Sequence, residues 1–266
     1  MKMMGNSKVL AQQSAFMTKA GLIRLVLIVL IVIGLEALVR SGRIDPLTMQ
    51  APSRMGLDAL RLLQSGKLNL AIAKTFGNAG IAFLIALCAG VVVGLLLHPL
   101  TRMREILEPF FATYYAIPVF AFYPLLILLL GLGDAPQIFI GVMLGFVAVL
   151  VNVLNGIDRV PKVLLKVARV NGMGRLETAV KIILPSATPS LLTGAKFAVA
   201  YALIGVIGAE FIMSTGGMGY EISFAYNNFD NATMYPLILL ILTVSVSINM
   251  VISAWEKTLL KRRGMQ

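Results

Sequence analysis

Residues 158–189 read DRVPKVLLKVARVNGMGRLETAVKIILPSATP and stand between long runs that carry almost no charge. Along the first half, basic residues recur at spacings of three and four, at Arg159, Lys162, Lys166 and Arg169. Because a helix turns once in about 3.6 residues, these cations share one face and Val and Leu residues share another. The pattern predicts a short amphipathic helix outside the membrane.

The quoted stretch also predicts how this helix begins and ends. Asp158 can cap its start, and Gly172 can supply the left-handed residue that ends it. A second short helix is expected from about Arg175 to Ile183, and Pro185 is expected to end it. These two predicted helices lie within residues 158–185, which we call the basic segment.

The rest of the chain has the composition of a membrane protein. It is 58% apolar and 13% charged, whereas about a quarter of the residues of a soluble protein are charged. Six apolar runs approach or exceed the roughly 20 helical residues that cross a bilayer. They are Leu22–Val39, Phe76–Leu97, Pro109–Gly133, Ala135–Ile157, Ser186–Ile212 and Asn231–Trp255. Because the runs are continuously apolar, they favour helices over a barrel. We predict an all-α, polytopic membrane helical bundle of about six transmembrane helices with two short cytoplasmic helices.

The positions of the cations orient this bundle. With the N-terminus inside, 16 of the 23 Lys and Arg residues lie inside, six lie outside and Lys196 lies within a span. This positive-inside bias accounts for the net charge of +11 without nucleic acid. We predict a cytoplasmic tail at residues 1–21, one transmembrane domain at residues 22–256 and a basic cytoplasmic tail at residues 257–266. A cleaved signal peptide is the alternative for the first run.

The third apolar run contains candidates for a solute path. Tyr115, Pro118 and Tyr123 lie within it. A proline this deep kinks the helix and frees backbone carbonyls, which neighbouring helices or a water-filled path can satisfy. We expect a kinked helix that either lines a path or is an ordinary packing helix.

The fifth run carries two charges that lie near opposite ends. Lys196 and Glu210 are 14 residues apart, or about 21 Å along a helix, so they cannot pair with each other. An intramembrane charge suggests function, although snorkelling toward the interface is the alternative. Lys196 is a candidate to attract an anion on the inner side, and Glu210 leads into a turn that contains Gly217 and Gly219.

A spaced set of residues runs through the basic segment: Ala168, Gly172, Ile182, Leu184 and Pro185. In this spacing the chain resembles permease subunits of bacterial binding-protein-dependent ABC importers. Their cytoplasmic motif is Glu-Ala-Ala, three residues, Gly, nine residues, Ile, any residue, Leu-Pro. The later stretch TGAKFAVAYALIGVIGAEFIMSTGGMGY is similar to the nitrate, sulfonate and taurine branch of these permeases. The resemblance covers about residues 70–255.

The resemblance implies a multi-pass permease subunit of the bacterial inner membrane, with both termini in the cytoplasm. It implies two copies of an ABC ATPase subunit, a periplasmic or lipoprotein solute-binding protein, and a second permease copy. We expect that copy to be identical, with a heterodimer with a different permease as the alternative. The implied solute is small and anionic. The implied ATPase-coupling residues are Lys166, Val167, Ala168, Gly172, Ile182, Leu184 and Pro185, and the turn at Gly217 and Gly219 is implied to belong to an outer gate.

The chain departs from the family motif at two positions. Lys166 and Val167 stand where the family has Glu and Ala, so the contact of that Glu with the ATPase cannot be carried over. We hypothesise an acidic groove on the partner instead. The chain also lacks a Gly-x-x-x-x-Gly-Lys-Ser/Thr loop, and without this loop we expect ATP to bind a separate subunit.

Other functions remain open at this stage. Related permeases import cationic vitamin precursors, and a channel or secondary transporter would work without ATP. The latter predicts inverted repeats or mid-span charges, and neither is apparent. An intramembrane enzyme would need a catalytic cluster within the spans, and we find none. Cys88 is the single cysteine, so no cysteine-based metal site is expected, and we expect no cofactor.

Overall fold

The computed structural model describes the backbone of residues 3–45 and 48–262, and the side chains of residues 21–45, 48–111 and 113–259. Within this part of the chain, every regular element is a helix. The α-helices are α1 Met3–Arg40, α2 Pro52–Ser65, α3 Asn69–Leu97, α4 Thr101–Thr113, α5 Tyr123–Leu130, α6 Asp134–Asp158, α7 Lys162–Val170, α8 Arg175–Thr178, α9 Leu184–Ser186, α10 Thr188–Met213, α11 Met218–Asn227 and α12 Asn231–Arg262. The predicted all-α class is confirmed.

Five helical stretches among the described residues are long and apolar enough to cross a membrane. They are Gly21–Arg40, Asn69–Leu97, Asp134–Asp158, Thr188–Asn227 and Asn231–Leu259. A sixth candidate combines α4 and α5, which are bent by 86° at a short break. The predicted six-span bundle is matched when this bent pair counts as one span. Of the predicted tails, residues 1–2 and 263–266 lie outside the described backbone.

The third predicted span is broken rather than merely kinked. Between α4 and α5 the chain forms two 3₁₀ turns, Tyr114–Ala116 and Val119–Phe122. Ile117 between them is extended, with φ −75° and ψ 125°. Pro118 explains the break, because proline offers no amide hydrogen and disfavours helical backbone in the residue before it. The expectation of one continuous kinked helix was therefore wrong.

The centre of the bundle is built by α3, α6 and α10, which pack through small residues. In the apolar window of α6, 56% of residues are buried, against 6% in the windows of α1 and α12. A Cβ on Gly205 of α10 would overlap the backbone of Gly141 on α6, and Cβ atoms on Gly90 and Gly94 of α3 would overlap Val side chains of α6. Small residues allow this close approach where lipid provides no hydrophobic drive between helices.

Two helices stay at the outside of this core. The side chains of α1 from Gly21 onward are almost all exposed, and α12 exposes large apolar residues such as Val251 and Trp255. The amphipathic α2 packs beside α12 and buries Ala59. These exposed apolar surfaces suit lipid or another membrane subunit.

Candidate functional site

The first part of the basic segment forms the predicted short helix, α7, and ends as predicted. Gly172 has φ +64°, a left-handed conformation that other residues adopt only with strain. The Met173 N–H donates to the Ala168 carbonyl oxygen (3.0 Å), and the Gly172 N–H donates to that of Arg169 (3.1 Å). These bonds are a Schellman motif, which satisfies the last carbonyls of the helix.

The outward side of α7 is apolar as well as basic. Val163, Val167 and Val170 are 67%, 46% and 88% exposed. Ala168 is buried at 1%, so the helix rests on the protein through that side. Lys166 is also exposed. Exposed Val side chains beside Lys and Arg on the same helix form a surface suited to a partner.

The second part of the basic segment is helical through Ser186, beyond the predicted end. It begins as α8, widens into a π-helical turn over Ala179–Ile183 and continues as α9. Pro185 lies directly after the π turn, where the regular α-helical hydrogen-bond pattern is already interrupted, so a residue without an amide hydrogen is accommodated. The prediction that Pro185 ends the helix was therefore wrong. Ile182 and Leu184 are half-buried, so the segment is anchored against the bundle.

The beginning of the basic segment also differs from the prediction. Asp158 is the last residue of α6 and makes no capping bond to α7; its carboxylate instead accepts bonds from both Arg104 terminal nitrogens (2.7 and 2.5 Å). This bidentate pair joins α4 to the C-terminal end of α6. In the second part, Glu177 accepts a bond from Lys181 at 2.7 Å, and Lys181 lowers the pKa of Glu177.

On the predicted outer side, Glu210 is completely buried, which rules out snorkelling for this residue. Its carboxylate accepts a hydrogen bond from the Thr75 hydroxyl (Oγ1 to Oε2, 2.7 Å) and one from the Gly219 N–H (3.0 Å). The Met218 N–H in turn donates to Thr75 Oγ1 (2.7 Å). One carboxylate thus joins α10 to α3 and to the start of α11.

The two predicted gate glycines lie directly against this carboxylate. Gly217 has φ +105°, and a Cβ there would overlap the carboxyl group of Glu210. A Cβ on Gly219 would overlap the Ile207 carbonyl oxygen and the Glu210 side chain. The structure therefore brings Glu210, Gly217 and Gly219 together. We call these three residues and Thr75 the outer turn cluster.

A second polar chain lies beside this cluster. Asn78 on α3 donates to Gln137 on α6 (3.2 Å), and Gln137 donates to the Ser214 hydroxyl (2.8 Å). The Tyr123 hydroxyl donates to the Met213 carbonyl oxygen (2.9 Å). Sequence reasoning missed the roles of Thr75, Asn78 and Gln137. Their signal was available, since each is a polar residue within or next to an apolar run.

The remaining path candidates, Tyr115 and Pro118, lie apart from the outer turn cluster. Tyr115 stacks on Tyr201 of α10, with ring centroids 5.1 Å apart, and Pro118 is exposed at the break of the third span. They stay path predictions.

Lys196 has a partner that the sequence did not reveal. Its ammonium group lies 2.8 Å from the Glu256 carboxylate of α12, and the Thr193 hydroxyl donates to the same carboxylate (3.4 Å). Both charged side chains are largely removed from water, at 26% and 14% exposure. Because this ion pair offsets the Lys196 charge, the residue is a poor attractor for an anion in this conformation. Among the described residues no group of His, Cys, Asp or Glu could hold a metal ion.

Comparisons with known proteins agree with this architecture. The nitrate import permease protein NrtB of Leptolyngbya laminosa is 26% identical over 178 residues, covering 67% of this chain and 64% of NrtB. The putative aliphatic sulfonates transport permease protein SsuC of Bacillus subtilis is 27% identical over 223 residues, covering 84% of this chain and 81% of SsuC. A probable ABC transporter permease protein of Haemophilus influenzae is 29% identical over 166 residues, covering 62% of this chain and 68% of that relative.

A family match covers most of the same region. Residues 86–264 match the family described as binding-protein-dependent transport system inner membrane component. The matched region includes the bent third span, the basic segment and the Glu210 end of α10. The chain therefore belongs to this family, the inner-membrane permeases of ABC importers.

Proposed function

We propose that this chain forms the solute path of an ATP-driven importer and couples it to a separate ATPase subunit through the basic segment. The observation that carries the coupling proposal is the outward side of α7, where Val163, Val167 and Val170 are exposed beside basic residues. Exposed apolar side chains outside the membrane cost free energy unless a partner covers them. The Gly172 turn fixes the direction of this surface.

The proposed ATPase-coupling residues are Lys166, Val167, Ala168, Gly172, Ile182, Leu184 and Pro185. Ala168, Ile182 and Leu184 anchor the segment to the bundle, and Val167 faces outward. ATP-driven movement of the docked segment then shifts α6 and α10, since the segment runs between the two. In this way nucleotide biases the bundle between two conformations.

The outer turn cluster and the bent third span are the proposed gate and path elements. Glu210, Gly217 and Gly219 fix the turn between α10 and α11, and Tyr115, Pro118 and Tyr123 lie along the break of the third span. We propose that two copies of the chain line the path, as a homodimer, together with two ATPase subunits and a solute-binding protein. Both termini are proposed to be cytoplasmic, which the placement of Lys and Arg supports.

The proposed solute is a small anion of the nitrate, sulfonate or taurine type. The names of two relatives, a nitrate permease and a putative aliphatic sulfonate permease, support this class. The same proposal includes Lys196, whose charge is paired with Glu256 in this conformation. Uptake by proteoliposomes that contain the complete complex, compared between an anionic solute and a cationic vitamin precursor, tests the class.

The coupling proposal is tested by Val167→Asp, which places a charge in the exposed apolar surface. We expect this variant to insert normally but to recover much less ATPase subunit on co-purification and to lose ATP-dependent uptake. Leu100→Asp is the matched control, because Leu100 is similarly exposed (52%) and lies outside the basic segment, in the turn between α3 and α4. Equal recovery of ATPase with both variants, or uptake by the chain alone without ATP, contradicts the proposal.

A further inference from the structure

The outward side of α7 divides into two adjacent sectors. The cationic sector consists of Lys162, Lys166 and Arg169. The apolar sector consists of Val163, Val167 and Val170. At about 100° per residue, each sector is about 60° wide and the two adjoin along the helix. Any partner of α7 therefore meets charge on one side and hydrocarbon on the other.

The charges of the cationic sector are not satisfied within the described part of the chain. All three side chains are exposed, and no ion pair or hydrogen bond joins them to another described residue. Arg104 and Lys181 differ in this respect, since Arg104 pairs with Asp158 and Lys181 pairs with Glu177, whereas Arg159 and Arg175 are exposed like the cationic sector. The cationic sector is available for an external anion.

The arrangement of the sectors favours a protein over the bilayer surface. A helix that lies on a membrane has its polar face opposite its apolar face, so that water meets one and lipid the other. In α7 the position opposite the apolar sector is Leu165, which is half-buried. The charges stand beside the apolar sector instead, as required for a groove with an apolar floor and one charged rim.

We propose that the ATPase partner presents such a groove, with an apolar floor for Val163, Val167 and Val170 and a cluster of Asp and Glu side chains along the rim that meets the cationic sector. This inference rests on the proposed function and specifies the chemistry of its partner. The two sectors contribute differently to binding. Apolar contact supplies most of the affinity, whereas exposed charge pairs contribute little energy each but govern association rate, salt dependence and partner choice.

The experiment measures binding of the ATPase subunit to the permease in nanodiscs at about 0.1 M and about 1 M salt, where the Debye length falls from about 10 to about 3 Å. The variant Lys162→Glu with Lys166→Glu is expected to bind about tenfold more weakly than the parent at the lower salt concentration. At the higher concentration the difference is expected to shrink to about twofold or less. Lys162→Gln with Lys166→Gln should fall between the two.

The matched control is Arg102→Glu with Lys257→Glu, which reverses two exposed inner cations outside the basic segment. It should bind the ATPase as the parent does. Replacing rim Asp and Glu residues of the ATPase by Lys should restore binding to the reversed permease. Rescue of this kind requires direct pairing between the two surfaces.

Three other results would contradict the acidic rim, the protein partner or the docking site itself. If the reversed variant binds as well as or better than the parent, the acidic rim is wrong, while loss of binding by Val167→Asp still supports docking at α7. If reversal matters only in nanodiscs of anionic lipid and not of zwitterionic lipid, the cations bind headgroups and the inference is overturned. If neither Val167→Asp nor the reversal changes binding, the proposed docking site is wrong as well.

Discussion

Glu210 illustrates what a single charged residue does inside this bundle. Its carboxylate is completely buried, and it is bonded to Thr75 of α3 and to the backbone of Gly219. Burying a carboxylate is costly unless hydrogen bonds replace its hydration, and here the Thr75 hydroxyl donates one bond and the Gly219 N–H donates another. The residue therefore has a positional role at the turn between α10 and α11.

At the residue scale we predict that Gly217→Ala destabilises the protein. Gly217 has φ +105°, and an added Cβ would overlap the Glu210 carboxyl group. With ψ 169° as well, this backbone conformation is one that essentially only glycine adopts, and the backbone penalty alone is about 1–3 kcal/mol. Thermal unfolding in detergent should show a lower midpoint than the parent.

Gly216→Ala is the matched control for this prediction. Gly216 has no positive φ, and its nearest neighbour would be the Lys74 Nζ at 3.5 Å, which is ordinary contact. An equal loss of stability in both variants would contradict the proposed packing of Gly217 on Glu210. In the Glu210→Ala background, the effect of Gly217→Ala should shrink, because the colliding carboxyl group is gone.

At the scale of elements, the basic segment depends on one turn. Gly172 adopts φ +64°, and Gly174 two residues later has φ −66°; a Cβ would meet nothing within 4 Å at either position. Only the backbone conformation distinguishes the two glycines. They therefore allow a test of the turn without a change in packing.

We predict that Gly172→Ala reduces recovery of the ATPase subunit and ATP-dependent uptake, while Gly174→Ala changes neither. The left-handed conformation costs a residue with a Cβ about 1 kcal/mol, which shifts the direction of α7 relative to α8. Co-purification and uptake by proteoliposomes measure the two effects. If Gly174→Ala is as harmful as Gly172→Ala, the turn conformation is not the cause.

A second prediction at this scale concerns the pair that joins α10 to α12. Lys196→Ala leaves the Glu256 carboxylate largely buried and unpaired, at a cost of about 1–3 kcal/mol. The exchanged variant Lys196→Glu with Glu256→Lys should recover most of the stability, because it retains an opposite-charge pair. Thermal unfolding measures this recovery.

Uptake by the exchanged variant then separates two roles for Lys196. If the residue only joins the helices, uptake recovers with stability. If it attracts an anion from that position, uptake stays low although the protein is stable. Low uptake by a stable exchanged variant would support the role in the solute path that the sequence suggested, and it would show that joining α10 to α12 is not the only role of Lys196.

At the scale of the whole molecule, stability depends on the close packing of α3, α6 and α10. We predict that Gly205→Val strongly destabilises the bundle, because a Cβ there would overlap the Gly141 backbone, which cannot rotate away. Overpacking of a core costs about 1–3 kcal/mol. Gly80→Val is the control, since nothing lies within 4 Å of its added Cβ. Similar unfolding midpoints for the two variants would contradict this packing.

Much of this architecture was readable from the sequence. Continuous apolar runs predicted the spans, because hydrocarbon requires every backbone amide to be paired within its segment. The spacing of Arg159, Lys162, Lys166 and Arg169 predicted α7, and Gly172 predicted its end. These features depend on residues near one another in the chain, so local physics decides them.

The tertiary structure decided what depends on distant residues. The sequence showed that Lys196 and Glu210 are too far apart to pair with each other, but not that Glu256 and Thr75 are their partners. It could not distinguish Gly90, which packs on α6, from Gly80, which does not. Composition determines that this chain enters a membrane as helices, whereas the contacts of each buried charge and glycine depend on which helices become neighbours.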